Sequence, residues 1–135
     1  MTRVRLGVLV LCLGLSACRD RDGDLPPAYR ALAVPEQRLA SPEARAEGRR
    51  LFEDHCALCH GEGGDGRGVR REGLSRPPRD FTDAAWRRQA SPRHVYFAIR
   101  EGVRGTPMPS WKALDENDAW DLVAYVLSLS KTHQP

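Results

Sequence analysis

Methionine is almost missing from this 135-residue chain: after the initiator only Met108 remains. Histidine and cysteine are scarce too, at four each. No apolar run approaches the roughly 20 residues that a membrane-spanning helix needs. The longest, residues 6–13, stops abruptly near a charged segment. No stretch alternates apolar and polar residues in the manner of a strand, so a sheet is not expected. There is no internal repeat and no long low-complexity tract. The glycine-rich run at residues 61–68 lacks both the G-K-[ST] ending and the preceding strand of a phosphate loop. It reads as a chain reversal where side chains would not fit. No catalytic acid, base or nucleophile stands out, which points away from an enzyme. The formal charge is only +3, although arginines crowd the middle of the chain.

The amino terminus follows a secretory order. Arg3 and Arg5 precede the apolar run, and Gly14, Ser16 and Ala17 follow it. Leu15-Ser16-Ala17-Cys18 resembles the bacterial lipobox, which implies cleavage before Cys18 and acylation of that residue. Residues 1–17 are thus expected as a lipoprotein signal, and the mature protein on the periplasmic face of a membrane. Two or more acyl chains anchor stably where one does not. Removing Arg3 and Arg5 from +3 leaves about +1. Residues 18–40 carry Pro26, Pro27 and Pro35 with few bulky apolar residues. They read as a lipidated end and a loose tether reaching roughly 25 Å. A single domain over residues 41–130 follows, with a short tail at residues 131–135.

Helix signals organise that domain. Ser41-Pro42-Glu43 is an N-cap, a proline where its missing N–H costs nothing, and a first-turn acid. Ala44, Gly48, Leu51, Phe52 and His55 then form one inward stripe. A mid-helix glycine costs about 1 kcal/mol relative to alanine, so Gly48 suggests close contact with another helix. Ser91-Pro92 repeats the start signal, Val95 and Ile99 mark a buried face, and Gly102 marks the stop. A short helix or turn is expected around Trp86. The last helix spans roughly residues 116–129, capped by Asp115. Trp120, Val123, Ala124 and Leu127 form its stripe, flanked by Leu122, Tyr125, Val126 and Leu129. The expected fold is all-α, with three main helices.

With Cys12 in the leader and Cys18 at its end, only Cys56 and Cys59 remain, and no disulfide framework is left. They stand in Cys56-Ala57-Leu58-Cys59-His60, the C-x-x-C-H haem-attachment signature. Two thiols one helical turn apart can add to the two vinyl groups on one edge of a haem, and the next residue can place its imidazole under the iron. A redox dithiol would want a βαβ context, and zinc would need two further ligands in suitable spacing. Neither is present. The sixth ligand follows by elimination. Met108 sits between two prolines in Gly105-Thr106-Pro107-Met108-Pro109-Ser110-Trp111, badly placed for a core and well placed to present its sulfur. His94 is the rival, though its helix position suggests a surface or packing role.

On these residues the chain resembles the class I cytochrome c family, specifically the small bacterial domains related to the haem subunits of cbb3-type oxidases. The likeness covers about residues 41–130. It implies a small cytochrome c fold wrapped around one covalently bound haem c, with Gly48 and Phe52 packed on Tyr125 where the first and last helices cross. It also implies that a proline carbonyl, from Pro77 or Pro78, accepts the Nδ1 proton of His60. Arg79 or Trp111 could bond a haem propionate, and either could equally be a packing or surface residue. The implied role is one-electron transfer between redox protein partners, with no nucleic acid and no small-molecule substrate. The arginine-rich segment from Arg67 to Arg93 departs from the family pattern and suits either a solvated face or an acidic redox partner. Expressed beside cytochrome maturation machinery, the chain is expected to purify red, at the polypeptide mass plus haem and lipid. The Cys56→Ala/Cys59→Ala variant is expected to purify colourless, at the polypeptide-plus-lipid mass.

Overall fold

The computed structural model describes residues 21–132, and every regular element among them is helical. The elements are α1 (Pro27–Arg30), α2 (Glu36–Ala40), α3 (Pro42–His55), α4 (Ala57–His60), α5 (Ala84–Gln89), α6 (Pro92–Glu101) and α7 (Glu116–Thr132). The signal segment and Cys18 lie outside the described residues, as does the end of the C-terminal tail.

The start signals act as expected. Ser41 Oγ accepts from Ala44 N at 3.2 Å, and Ser91 Oγ accepts from His94 N at 3.2 Å. Asp83 caps α5 through Trp86 N at 2.7 Å, and Asp115 Oδ1 accepts from Asn117 N at 2.8 Å in the first turn of α7. Such caps contribute about 1 kcal/mol each. Gly102, at φ 71°, ends α6.

The core forms around α7, the only long helix apolar on most of its circumference. Ala119, Trp120, Leu122, Val123, Ala124, Val126 and Leu129 are all buried. A helix apolar nearly all round needs neighbours on several sides. Here α3, α6 and α2 supply them. A Cβ on Gly48 would overlap the Asp121 carbonyl and lie 2.9 Å from the Tyr125 Cβ, so only glycine lets α3 and α7 approach this closely. One turn on, Phe52 meets Tyr125 edge to face at 5.3 Å between centroids. On the other side, Tyr96 of α6 stacks on Trp120 at 4.2 Å.

The tether expectation does not survive for residues 22–40. That segment is a strap folded onto the domain. Leu25 is buried, and Tyr29, Leu32, Val34 and Leu39 pack against the core. Arg38 grips Asp121 with two parallel bonds of 2.6 and 2.8 Å, and the Tyr29 hydroxyl donates to Glu101. Arg93 donates to Leu32 O and to Asp22, both at 2.9 Å. Prolines and charges read as solvated coil when taken alone. These charges have partners some 60 to 80 residues away, which local composition cannot reveal.

Three outcomes follow from this packing. Gly48→Ala gains about 1 kcal/mol of helix propensity. Overpacking outweighs that gain, and a net loss of about 1–3 kcal/mol is expected in denaturant unfolding of the haem-loaded protein. Arg38→Ala strands the buried Asp121 carboxylate and is expected to cost about 2–3 kcal/mol, with faster proteolysis of residues 21–40. Burial alone would raise the Asp22 carboxyl, but the Ser91 hydroxyl and the Arg93 guanidinium outweigh it and hold the pKa below the ordinary 3.8. The strap's contribution is therefore fully present above pH 3.8 and lost as pH falls through the lowered folded value. Acid titration of Asp22→Asn should lack that component.

Candidate functional site

Cys56 ends α3 and begins α4. Its backbone N donates to Phe52 O at 2.8 Å, while its carbonyl accepts from Cys59 N at 3.1 Å and His60 N at 2.9 Å. A single tight turn thus brings both thiols and the imidazole together, at the end of the helix that Gly48 seats on α7. Burial pushes the Cys56 thiol up to about 11, with the neighbouring Cys59 adding to the effect. A redox dithiol needs the opposite shift, toward thiolate. Among the described residues no three His, Cys, Asp or Glu side chains converge in a way that could hold a metal ion, so zinc has no ligand set.

Beside this turn lies a cavity of about 280 Å³. Cys56 and His60 line it from α3 and α4, and Met108 and Trp111 from the loop between α6 and α7. Phe52, Phe81, Val95, Ile99, Leu122 and Val126 make the rest largely apolar. The methionine loop is tightly tied. Met108 N donates to Thr106 Oγ1 at 3.2 Å, Ser110 Oγ to Arg100 O at 2.6 Å, and Trp111 N to Ile99 O at 2.9 Å. A larger hollow of about 870 Å³ adjoins the cavity at Trp86, Ala90 and His94, and among the described residues no cysteine and no methionine lines it.

His60 Nδ1 lies 3.1 Å from the carbonyl oxygen of Arg79. A carbonyl only accepts, so Nδ1 carries the proton and Nε2 keeps its lone pair. Burial lowers the pKa of the ring, offset only in part by that bond, which favours the neutral imidazole that a metal ligand requires. Phe81 stacks on the ring at 4.8 Å and 19°, backed by Phe52 and Trp86 at 6.3 and 5.2 Å. An apolar slot lined by Cys56, a neutral imidazole and a thioether, with Cys59 in the same turn just outside the lining, suits a covalently held haem.

The expected carbonyl was that of Pro77 or Pro78. The structure puts the bond one residue later, on Arg79. Gly66, at φ 74°, is the cause: its Cβ position is 2.7 Å from the Pro78 carbonyl oxygen, so Pro78 turns its carbonyl onto this glycine. Phe81 N then donates to Gly64 O at 2.8 Å, which fixes the register. Arg79 and Trp111 do line the cavity. His94 lines it too, but its nitrogens face Ser91 Oγ at 3.0 Å and Asp24 Oδ1 at 2.8 Å, which ties it to the helix start and the strap. Phe81 escaped sequence reasoning because it sits in an irregular segment with no periodicity. Its only signal is an aromatic residue just beyond the proline pair.

A helical domain with a C-x-x-C-H turn opening onto an apolar slot is a c-type cytochrome domain of class I. The chain belongs to the family described as cytochrome c oxidase, cbb3-type, subunit III, whose model matches residues 43–126. Among curated relatives it is 38% identical over 85 residues to the cbb3-type cytochrome c oxidase subunit CcoP of Cereibacter sphaeroides, a match covering 62% of this chain and 27% of that protein. The chain therefore spans about a quarter of that relative's length. It superposes on a chain of the Kuenenia stuttgartiensis reducing HAO-like protein complex with TM-score 0.59 and 31% identity, covering 66% of this chain and 44% of the other. It also superposes on the c-type cytochrome KustC0563 with TM-score 0.51 and 31% identity, covering 61% of this chain and 95% of the other. Membership of this family brings covalently bound haem c with it.

Gly66→Ala tests the hydrogen bond to the imidazole. Crowding the Pro78 carbonyl is expected to displace Arg79, weaken the Nδ1 bond and make His60 a poorer electron donor to iron. The haem-loaded variant should show a shifted Nδ1 proton resonance and a higher reduction potential.

Proposed function

We propose that this protein is a lipid-anchored, mono-haem electron carrier or electron-transfer subunit, with Cys56 and Cys59 as the attachment sites and His60 and Met108 as the axial ligands. The observation that carries the reading is that Cys56, His60 and Met108 line one apolar cavity. Haem supplies the one-electron couple. The chain's own residues do the rest. His60 holds its proton at Nδ1 against Arg79, leaving Nε2 for the iron. Met108, on its tied loop, would be the second protein ligand to the iron, and thioether ligation would favour the ferrous state. With His60 and Met108 both bound, the iron would keep no open site for oxygen or peroxide, which would leave outer-sphere transfer. Apolar and aromatic walls exclude water. Arg79 and Trp111, which line the cavity, would meet a propionate in this reading.

The relatives' names, a cbb3-type oxidase subunit and a component of an HAO-like complex, support redox protein partners for this chain as well. In this reading Cys18 carries the lipid and the domain works on the periplasmic side of a membrane. No helix among the described residues is long and apolar enough to cross a bilayer. Because residues 22–40 wrap the domain, only a few residues separate Cys18 from folded chain. Fully extended, they reach roughly 10–14 Å. The haem domain is held close to the surface.

Met108→Ala is expected to lose the far-red methionine–iron absorption band, to lower the reduction potential, and to bind carbon monoxide promptly where the parent protein resists it. An unchanged potential would sink the ligand assignment. Cys18→Ser is expected to release the haem protein from membranes into the soluble periplasmic fraction.

A further inference from the structure

Among the described residues that line the haem cavity there is no aspartate and no glutamate. Apart from Cys56 and His60, the lining side chains that can carry a charge are Arg79 and His94. Arginine keeps its charge at any working pH, whereas histidine changes charge near neutrality. His94 is therefore the wall residue whose charge can respond to what the cavity holds. It also lines the adjoining hollow, and its side chain is 31% exposed, so it can exchange protons with water.

The hydrogen bonds around His94 define its protonation. Burial alone would raise the Asp22 carboxyl, but Ser91 and Arg93 hold it below its ordinary value, so it is ionised. The Ser91 hydroxyl donates to that carboxylate at 2.5 Å. The same Oγ faces His94 Nδ1 at 3.0 Å and has no second proton to give, so Nδ1 must donate. Nε2 stands 2.8 Å from Asp24 Oδ1, and a carboxylate only accepts, so Nε2 donates too. A ring that donates from both nitrogens is an imidazolium. The charged groups facing it are Asp22 and Asp24 of the strap and Arg93 of its own helix, which pairs with Asp22. Arg21 and, from α5, Arg88 share the hollow with it. Both carboxylates precede residue 43, outside the family-matched region, so the cation belongs to the strap and is not a property of the family.

We propose that His94 is a redox-linked proton site: an imidazolium held by the strap on the cavity wall, which releases its proton more readily when the haem is oxidised. This rests on the electron-transfer reading and adds regulation of that site by pH. Oxidation passes one electron to a redox partner and leaves one more positive charge inside an apolar cavity, where screening is weak. A like charge on the wall is then disfavoured, and His94 gives a proton to water. When a partner returns the electron, His94 takes a proton back. Linkage makes the coupling reciprocal, so the reduction potential falls as rising pH strips the proton from His94.

The test is a spectroelectrochemical titration of the full haem-loaded chain from about pH 5 to 9, which brackets ordinary histidine titration. The parent potential is expected to fall as pH rises. His94→Gln is expected to start lower at the acid end and to lose the fall. Asp24→Asn is expected to move the fall to lower pH, because an anion that favours the charged ring is gone. Ring-proton NMR is expected to show His94 keeping its proton to higher pH in the ferrous protein than in the ferric. A parent potential constant across the range would overturn the proposal, as would equal His94 midpoints in the two oxidation states. So would a fall unchanged in His94→Gln, because the haem propionates would then carry it. Absence of a reversible one-electron couple in the parent would instead overturn the electron-transfer reading. Unchanged absorption spectra and melting temperatures in the variants exclude misfolding as the cause.

Discussion

Where α3 crosses α7, the carbonyl of Asp121 occupies the space that a side chain on Gly48 would need. That one contact sets the position of almost everything else. It fixes the line of α3, and hence where Cys56, Cys59 and His60 emerge at its end. It fixes α7 as well, whose Leu122 and Val126 wall the cavity. The same Asp121 sends its carboxylate the other way, to Arg38 of the strap. A buried acid inside an otherwise apolar helix is costly unless its charge is matched. Here the matching cation comes from outside the family-matched region, since Arg38 precedes residue 43. The crossing and the strap are therefore parts of a single construction.

The site is built by two kinds of constraint. Tight backbone bonding places the site residues: one turn for Cys56 to His60, and a cross-braced loop for Met108. Aromatic stacking then holds the imidazole plane, with Phe81 against one face of the ring. Both constraints restrict His60 and Met108, and if these are the ligands, as proposed, little would have to reorganise when the iron changes charge.

The strap changes how membrane attachment would work. A loose tether would let the domain search. If Cys18 carries the lipid, as proposed, a folded strap would make it a short post, and orientation at the surface would follow from the fold. Asp22 and Asp24 meet Ser91, Arg93 and His94 at the start of α6, beside the haem cavity. The start of the strap is thereby pinned next to the site.

Much of this was readable from local sequence. Ser41-Pro42 and Ser91-Pro92 mark helix starts because an N-cap and a first-turn proline act through their immediate neighbours. The attachment turn is legible because its chemistry demands fixed spacing, and Met108 stands out in the sequence because it is the one methionine after the initiator. Residues 22–40 were misread, and so was the carbonyl that receives the His60 proton. The strap is held by pairs such as Arg38 with Asp121, whose members are 83 residues apart, and Arg79 prevails over the prolines through a glycine backbone thirteen positions earlier in the chain, at Gly66. Sequence alone determined the helices and the cofactor chemistry, because those depend on neighbours along the chain. Which carbonyl faces the imidazole and what balances Asp121 were decided only by tertiary structure, because each depends on which distant groups become neighbours in space.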